Sequence, residues 1–214
     1  KDGYTGCNVT IPYKRDVMPY LTDISREARV IGAVNTIHFT NEGAFGYNTD
    51  YGGFGRSLEQ AGIGVAAQEC VVLGTGGAAR AIIQYLADKN AKSITVVSRH
   101  PHSKIEFDEF TKKIGASEID YQTFETSHAG EVLVNCTPVG MFPRIADFPA
   151  VVDLIYNPKD TELLKMARRH GARTLNGMYM LVAQAVGSEE IWMGREIPSS
   201  VIEQIAKEME RLYE

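Results

Sequence analysis

The sequence is poor in cysteine, lacks a long apolar run and carries no excess of positive charge. Its three cysteines, Cys7, Cys70 and Cys136, are far apart and form no Cys-x-x-Cys pair. This argues against a disulfide framework and a thiolate zinc site, and it favours a cytoplasmic location. No apolar run approaches the roughly 18–20 residues of a membrane-crossing helix, so we expect no membrane partner. Acidic residues outnumber basic ones by 27 to 22, and we therefore expect no nucleic-acid partner.

A metal motif and a leader sequence are absent too. The five histidines form no His-Glu-x-x-His motif, and we predict no metal site. The chain opens Lys-Asp-Gly-Tyr without a basic, then apolar, leader, which we interpret as the interior of a longer polypeptide. With 44% hydrophobic and 23% charged residues in 214, the composition is typical of a globular protein of one or two domains.

The first third of the chain mixes short strands and helices. Periodicity predicts strands at 9–11, 33–39 and 44–47, and helices at 15–29 and 51–61. Asp23 or Ser25 is the candidate cap within the first helical stretch, and Pro12 ends the first strand.

From residue 69 onward the pattern changes to alternating apolar strands and amphipathic helices. Strands are predicted at 70–73, 93–97, 132–134, 151–155 and 173–175, and helices at 78–88, 104–114, 161–170, 178–187 and 199–213. Such alternation is typical of βαβ units and therefore of a parallel sheet covered on both faces. Residues 62–68 form a candidate linker before this region.

A glycine-rich turn joins the first apolar strand to its helix. Gly74-x-Gly76-x-x-Ala79 is a variant of the dinucleotide fingerprint in the required strand–turn–helix context. Gly74 permits a tight turn, and Gly76 lets the backbone approach a diphosphate, which the free N–H groups of the helix start attract. The alternative is a glycine-rich turn without a ligand.

The next strand ends in Ser98 and Arg99, where a site that prefers NAD usually carries an acid. A carboxylate would repel a 2′-phosphate, whereas a guanidinium binds it in a bidentate manner. This favours NADP, with Lys104 as a weaker helper. The alternative is a solvated arginine at a strand end.

Short polar side chains cluster at strand ends in the first third. Thr10 and Lys14 flank Pro12, Asn35 follows an apolar run, and Asp50 ends the string Tyr-Asn-Thr-Asp. Such positions hold small polar ligands in α/β proteins. Taken singly, Lys14 could be a solvated lysine, and residues 48–50 could cap the helix that follows them.

Together these segments resemble the shikimate dehydrogenase family. Seven motifs carry the resemblance in the family's order: 6–14 (Gly-x-Asn-Val-Thr-Ile-Pro-x-Lys), 31–36 (Ile-Gly-Ala-Val-Asn-Thr), 46–50 (Gly-Tyr-Asn-Thr-Asp), 74–80, 135–141, 153–158, and 176–192 with Asn-Gly, Met180, Gln184 and Trp192. The resemblance implies an oxidoreductase that reversibly reduces 3-dehydroshikimate with NADPH in chorismate and aromatic amino-acid biosynthesis.

The resemblance also implies an architecture and a set of roles. The fold is α/β: the remainder of an incomplete substrate-binding domain at 1–62, a Rossmann-type parallel-sheet nucleotide domain at 66–176, and C-terminal helices at 177–214 that return to the substrate domain. Lys14 and Asp50 are the catalytic pair. The substrate ligands are Thr10, Asn35, Gln184 and Tyr156. The NADP ligands are Gly74, Gly76, Gly77, Ala78, Ser98, Arg99, Thr137 and Gly177.

One family feature is missing from this sequence. The family's substrate-gripping Ser-x-Ser pair does not occur in the first third. Its absence leaves open the alternative of a nucleotide-binding module with impaired catalysis. A separate alternative is an NAD-dependent quinate/shikimate dehydrogenase, against which Arg99 argues. The expected partner is a small-molecule substrate, and a homodimer or a domain fused upstream is left open.

Overall fold

The structure is a computed structural model that describes residues 3–10, 12–121, 123–124, 129–140 and 148–212. Two motif residues, Ile11 and Met141, therefore lie outside the described residues. Within the described part, the strands form two sheets, one of four strands and one of six.

The first sheet is built from residues early in the chain. Its strands are β1 (Gly6–Asn8), β2 (Asp23–Ile24), β3 (Thr36–Phe39) and β4 (Ala44–Tyr47), in the order β1-β3-β4-β2. β3 runs antiparallel to both β1 and β4, whereas β2 and β4 are parallel. Helix α1 (Arg26–Ile31) follows β2 in the chain, and helix α2 (Thr49–Ala61) follows β4.

Two predictions for this region are wrong. The helix predicted at 15–29 is instead a 3-10 turn at Met18–Tyr20, then β2 and α1. Pro19 lacks a backbone donor, and Ser25 accepts a hydrogen bond from the N–H of Ala28, so the helix begins only after Ser25. The first strand lies at Gly6–Asn8, so residues 9 and 10 of the strand predicted at 9–11 are outside it, and Ile11 is not among the described residues.

The second sheet is parallel throughout, which confirms the predicted Rossmann-type architecture. Its strands are β5 (Glu69–Leu73), β6 (Ser93–Ser98), β7 (Ser117–Asp120), β8 (Val132–Asn135), β9 (Ala150–Asp153) and β10 (Arg173–Leu175), in the order β10-β9-β8-β5-β6-β7. Strands β6 and β7 are added on one side of β5, and strands β8 to β10 on its other side. In such sheets, ligands bind at the carboxyl ends of the strands beside this switch in strand order, here between β5 and β8. Helices α3 (Gly77–Asp88), α4 (Ile105–Ile114) and α5 (Glu162–Arg169) follow β5, β6 and β9. The sequence analysis missed β7, whose polar Ser-Glu-Ile-Asp run at the sheet edge has no apolar signature.

The last two helices are α6 (Met178–Met193) and α7 (Ser199–Leu212); α6 packs on α2 and contacts β3 of the first sheet, and α7 packs on α6. α6 packs on α2 so closely that a Cβ at Gly53 would lie 2.9 Å from the backbone nitrogen of Gln184. The largest apolar cluster joins Phe54 and Leu58 of α2 to Ile82 of α3 and to the second sheet. No helix within the described ranges is long and apolar enough to cross a membrane.

Candidate active site

An ion pair between Lys14 and Asp50 lies at the centre of the site. Lys14 Nζ donates to Asp50 Oδ2 at 2.6 Å, and the two side chains are only 17% and 9% exposed. Lys14 follows a turn in which the Tyr13 N–H donates to the carbonyl of Thr10 at 2.9 Å. The Lys14 carbonyl in turn accepts the N–H of Val34 at 2.7 Å. The turn therefore holds Lys14 against the first sheet, while the Thr10 side chain remains exposed.

Asn35 holds the other oxygen of Asp50. Its Nδ2 donates to Asp50 Oδ1 at 3.0 Å and to Thr49 Oγ1 at 3.0 Å. Its Oδ1 accepts the Thr49 N–H at 2.8 Å and the Thr36 hydroxyl at 3.0 Å. Asn35 is 3% exposed. A buried amide therefore holds Oδ1 of the Asp50 carboxylate, while the Lys14 ammonium pairs with Oδ2.

Asn48, rather than Asp50, caps helix α2. Its Oδ1 accepts the N–H groups of Asp50 and Tyr51 at 3.1 and 3.4 Å, and its Nδ2 donates to the carbonyl of Ala33 at 3.0 Å. Asp50 therefore lies in the first turn of α2, where the positive end of the helix dipole favours a carboxylate.

The glycine turn faces this ion pair. Gly74 has a φ of +102°, a left-handed conformation that glycine adopts freely, and its N–H donates to Val97 at 2.9 Å. A Cβ built on Gly77 would lie 3.8 Å from Lys14 Cδ. Lys14 of the ion pair and the glycine turn are thus neighbours in space, although one belongs to the region of the first sheet and the other to that of the second.

The start of α3 fits a dinucleotide diphosphate. Gly76 is the N-cap and offers no side-chain cap to the first N–H groups of α3, which include those of Gly77 and Ala78. A Cβ at Gly76 would meet no atom within 4 Å, so the turn opens onto free space. Uncapped helix N–H groups beside an open glycine are the donors that a diphosphate needs.

The end of β6 lies next to the same turn. Lys104 Nζ donates to Thr75 Oγ1 at 3.4 Å, and Ser98 Oγ accepts the N–H of His100 at 3.2 Å. Arg99 is exposed, so its guanidinium is accessible to a ligand phosphate.

Asn135 and Asp153 form a buried hydrogen-bond network between the ends of β8 and β9. Asn135 Nδ2 and the N–H of Ile155 donate to Asp153 Oδ1 at 2.9 and 3.1 Å, and the Thr161 hydroxyl donates to Oδ2 at 2.7 Å. Burial raises the pKa of Asp153, whereas these three donors act in the opposite direction. Asn135 Oδ1 accepts the N–H and the hydroxyl of Thr137 at 3.0 and 2.7 Å. The network holds Thr137 at the carboxyl edge of the sheet.

Gly177, Tyr156 and Gln184 occupy the neighbouring segments. Gly177 donates its N–H to Ile155 at 3.0 Å, and a Cβ there would overlap the carbonyl of Leu154; only glycine allows this approach. Tyr156 is 38% exposed. Gln184 is half-buried on α6, and its Nε2 donates to the Leu181 carbonyl at 2.9 Å.

The first sheet is also tied to α4. Arg15, which follows Lys14, forms an ion pair with Glu106 of α4. The Arg80 guanidinium of α3 lies 5.3 and 5.0 Å from the ring centres of Phe107 and Phe110, and burial lowers its pKa. The segment carrying Lys14 thus contacts both helices that flank the glycine turn.

Comparisons with known proteins identify the family. A model of the shikimate dehydrogenase substrate binding domain matches residues 1–37. The NADP(+) shikimate dehydrogenase of Clostridium perfringens strain 13 is 44% identical over 217 residues, which cover 97% of this chain and 79% of that protein. The chorismate mutase/shikimate 5-dehydrogenase fusion protein from Clostridium acetobutylicum has a TM-score of 0.88 at 44% identity, covering 98% of this chain and 78% of that one. Quinate dehydrogenase from Corynebacterium glutamicum in complex with NAD has a TM-score of 0.84 at 31% identity, covering 94% and 77%.

The chain belongs to the shikimate dehydrogenase family. The predicted family and fold class are therefore confirmed. The family model matches the segment that holds Thr10, Lys14 and Asn35, whereas Asp50 and the glycine turn lie in the region that the full-length relatives align with.

Sequence reasoning missed Ser188 in this family member. Its hydroxyl is fully buried and lies 2.7 Å from Thr36 Oγ1 and 2.9 Å from Asn8 Nδ2, its donor. Ser188 sits one helical turn after Gln184, whose carbonyl accepts its hydroxyl at 3.3 Å. It therefore connects α6 to β1 and β3. A single serine between Gly187 and Glu189 was the only signal, and it does not indicate a partner.

Proposed function

We propose that this chain is an NADP-dependent shikimate dehydrogenase, which reversibly reduces 3-dehydroshikimate to shikimate. The observation that carries the proposal is the 2.6 Å ion pair of Lys14 and Asp50, with Lys14 placed next to Gly77 of the glycine turn. Reduction of a ketone by hydride develops an alkoxide, which needs a proton and a nearby positive charge. The 44% identity to a curated NADP(+) shikimate dehydrogenase supports the same activity.

Lys14 and Asp50 have complementary roles in this proposal. NADPH, when bound, supplies the hydride. The Lys14 ammonium, held by Asp50 at 2.6 Å, stabilises the developing alkoxide and holds a proton at Nζ beside it. Asp50 orients Lys14 through Oδ2 and accepts a substrate hydroxyl, while Asn35 holds Oδ1 in place.

Four side chains are assigned to the substrate ring and its hydroxyl groups: Thr10, Asn35, Gln184 and Tyr156. Amide and hydroxyl groups both donate and accept hydrogen bonds, which suits a polyhydroxylated ring. The amide of Asn35 is already bonded to Asp50, Thr49 and Thr36, so it would have to exchange one of these bonds for the substrate. The contact of Gly53 with Gln184 supports this assignment, since it brings the helix of Asp50 against the helix of Gln184.

The cofactor is assigned to the edge of the second sheet. Gly74, Gly76, Gly77 and Ala78 offer backbone donors to the diphosphate. Ser98 and Arg99 bind the 2′-phosphate, and Thr137 and Gly177 lie on the nicotinamide side. The donor set fits NADP, because a positive side chain stands where an NAD-specific site has a carboxylate.

An NAD-dependent quinate/shikimate dehydrogenase is the second candidate function. The structural similarity to the quinate dehydrogenase that binds NAD favours it, whereas Arg99 favours NADP. Comparing NADPH with NADH, and dehydroshikimate with dehydroquinate, decides between the two. A nucleotide-binding module with impaired catalysis remains a third candidate; it predicts NADP⁺ binding without turnover.

The domain division, location and assembly are part of the proposal. The two sheets support a substrate part at 1–62 and a nucleotide part at 66–176, and the packing of α6 on α2 supports a return at 177–214. Three free cysteines among the described residues are compatible with a cytoplasmic location. The fusion protein from Clostridium acetobutylicum is the precedent for an upstream domain, and the homodimer stays a prediction.

The test is a direct assay of the purified chain. NADPH oxidation is followed optically with 3-dehydroshikimate, and then with dehydroquinate, and each reaction is repeated with NADH. We expect turnover that requires both 3-dehydroshikimate and NADPH. Calorimetric binding of NADP⁺ without any turnover would instead support the module with impaired catalysis.

A further inference from the structure

The turn at residues 99–104 connects the end of β6 to the start of α4 beside the glycine turn. Ser98, the last residue of β6, pairs with Asp120 of β7, and Lys104 reaches Thr75 at 3.4 Å. Arg99 is exposed at the start of this turn. The conformation of this turn therefore determines where Arg99 and Lys104 lie relative to a phosphate on the adenosine ribose.

Two carboxylates hold His102 in the middle of the turn. The His102 N–H donates to Glu118 Oε2 of β7 at 3.1 Å, and its ring Nδ1 lies 2.5 Å from Asp108 Oδ1 of α4. The Glu118 side chain is 4% exposed and that of Asp108 16%. Partly buried carboxylates from two separate elements thus converge on one residue of an otherwise exposed turn.

His102 needs such support because its φ is +58°. That left-handed conformation is unfavourable for a residue with a Cβ, and a charge-assisted hydrogen bond to its N–H stabilises it. Lys112 donates to Asp108 Oδ2 at 2.5 Å. Lys112 and His102 lower the pKa of Asp108, so Asp108 remains an acceptor for the ring.

The three side chains do not make a convincing metal centre. His102, Asp108 and Glu118 bring ligand atoms within 4.8 Å of one another. However, the Glu118 carboxylate already accepts a backbone N–H, and Asp108 already pairs with Lys112. The two carboxylates are therefore already engaged in hydrogen bonds that hold the turn at residues 99–104.

We propose that His102 is a positioning residue for NADP specificity: Glu118 and Asp108 fix its left-handed turn so that Arg99 and Lys104 face the 2′-phosphate. This inference rests on the proposed cofactor site, because it needs the 2′-phosphate to bind at Arg99. His102 itself acts through the turn and touches neither substrate nor the reacting atoms.

Titration calorimetry with NADP⁺ and with NAD⁺ tests the proposal without requiring turnover. Glu118→Ala and His102→Ala should each weaken NADP⁺ binding about tenfold, as expected for a lost hydrogen bond to a charged group, and leave NAD⁺ binding within about twofold. His102→Gly loses the same ring contact with Asp108 but should retain most of the NADP⁺ affinity, because glycine adopts the left-handed conformation without that support and keeps the N–H to Glu118. Glu109→Ala, which removes an exposed carboxylate from α4, the helix of Asp108, is the matched control.

Equal losses for NADP⁺ and NAD⁺, or no loss in either alanine variant, would overturn the proposal. So would His102→Gly weakening NADP⁺ as much as His102→Ala. Thermal melting of each variant checks folding, and His102→Gly against His102→Ala decides the matter even if Glu118→Ala does not fold. Failure of the proposed function is distinguishable: the parent chain would not turn over 3-dehydroshikimate, whereas the selective loss of NADP⁺ binding would persist.

Discussion

The proposed substrate side and the proposed cofactor side of the site are built in opposite ways. Around Asp50, both carboxylate oxygens have protein donors, and the supporting amide of Asn35 is buried. Around Gly76, the helix start has no side-chain cap, and Arg99 at the next strand end is exposed. The proposed catalytic pair is thus held in place by the protein itself, whereas the proposed diphosphate donors have no side-chain cap.

The difference follows from what each side must do. A catalytic charge must stay within tenths of an ångström of the reacting atom, so fixed dipoles hold it in advance. A diphosphate supplies its own charge, and uncapped N–H groups bind it only if no protein acceptor already satisfies them. Substitutions on the two sides should therefore affect different measurable quantities.

The largest effect is expected for Lys14→Ala. Removing the ammonium that faces the developing alkoxide should lower kcat by about 10²–10³-fold, while NADP⁺ affinity by calorimetry stays within about twofold. Lys113→Ala, which removes an exposed lysine of α4, is the control. An unchanged kcat would remove Lys14 from the mechanism.

Asp50→Asn should have the next largest effect. The new amide would turn its NH2 group toward one of the two donors, Lys14 or Asn35, which lie 2.6 and 3.0 Å from the native oxygens. We expect kcat to fall by about 10²-fold. Because the two residues act as a unit, the double variant Lys14→Ala/Asp50→Asn should be little worse than Lys14→Ala alone. Fully multiplicative losses in steady-state kinetics would contradict a joint role.

Arg99→Ala tests the cofactor side. Losing a guanidinium–phosphate contact should lower kcat/KM with NADPH by about 10-fold or more and leave that with NADH nearly unchanged. Arg169→Ala, at the exposed end of α5, provides the control. An equal loss with both cofactors would mean that Arg99 does not read the 2′-phosphate.

Two glycine substitutions sharpen the contrast in packing. Gly53→Ala places a Cβ 2.9 Å from the backbone of Gln184 and should destabilise the fold by about 1–3 kcal/mol.

Gly76→Ala meets no atom within 4 Å, so thermal melting should not change. It should nevertheless weaken NADP⁺ and NAD⁺ alike, by about fivefold, because the backbone can no longer approach the diphosphate closely. A lowered Tm for Gly76→Ala would show that the turn is not open.

Much of the second sheet could be predicted from the sequence, because buried parallel strands are continuous apolar runs and their helices are amphipathic. The prediction failed where this local signal weakens. β7 is a polar edge strand, and the stretch from Arg15 to Arg29 has helical periodicity but is interrupted at Pro19 and capped at Ser25. In the candidate site, Lys14, Asn35 and Asp50 were recognised by their motifs. Ser188 was not, because its partners Asn8 and Thr36 are 180 and 152 residues away along the chain.

The amino-acid sequence by itself determined the alternation of elements, the glycine turn and the family, because these depend on the identity of neighbouring residues. Only the tertiary structure decided that the ammonium of Lys14 meets the carboxylate of Asp50, 36 positions later, in front of Gly77. It also decided that Glu118 supports His102. Such contacts depend on how the two sheets and their helices pack. Burial raises the free-energy cost of losing any one of these hydrogen bonds, since water is no longer available to replace a missing partner.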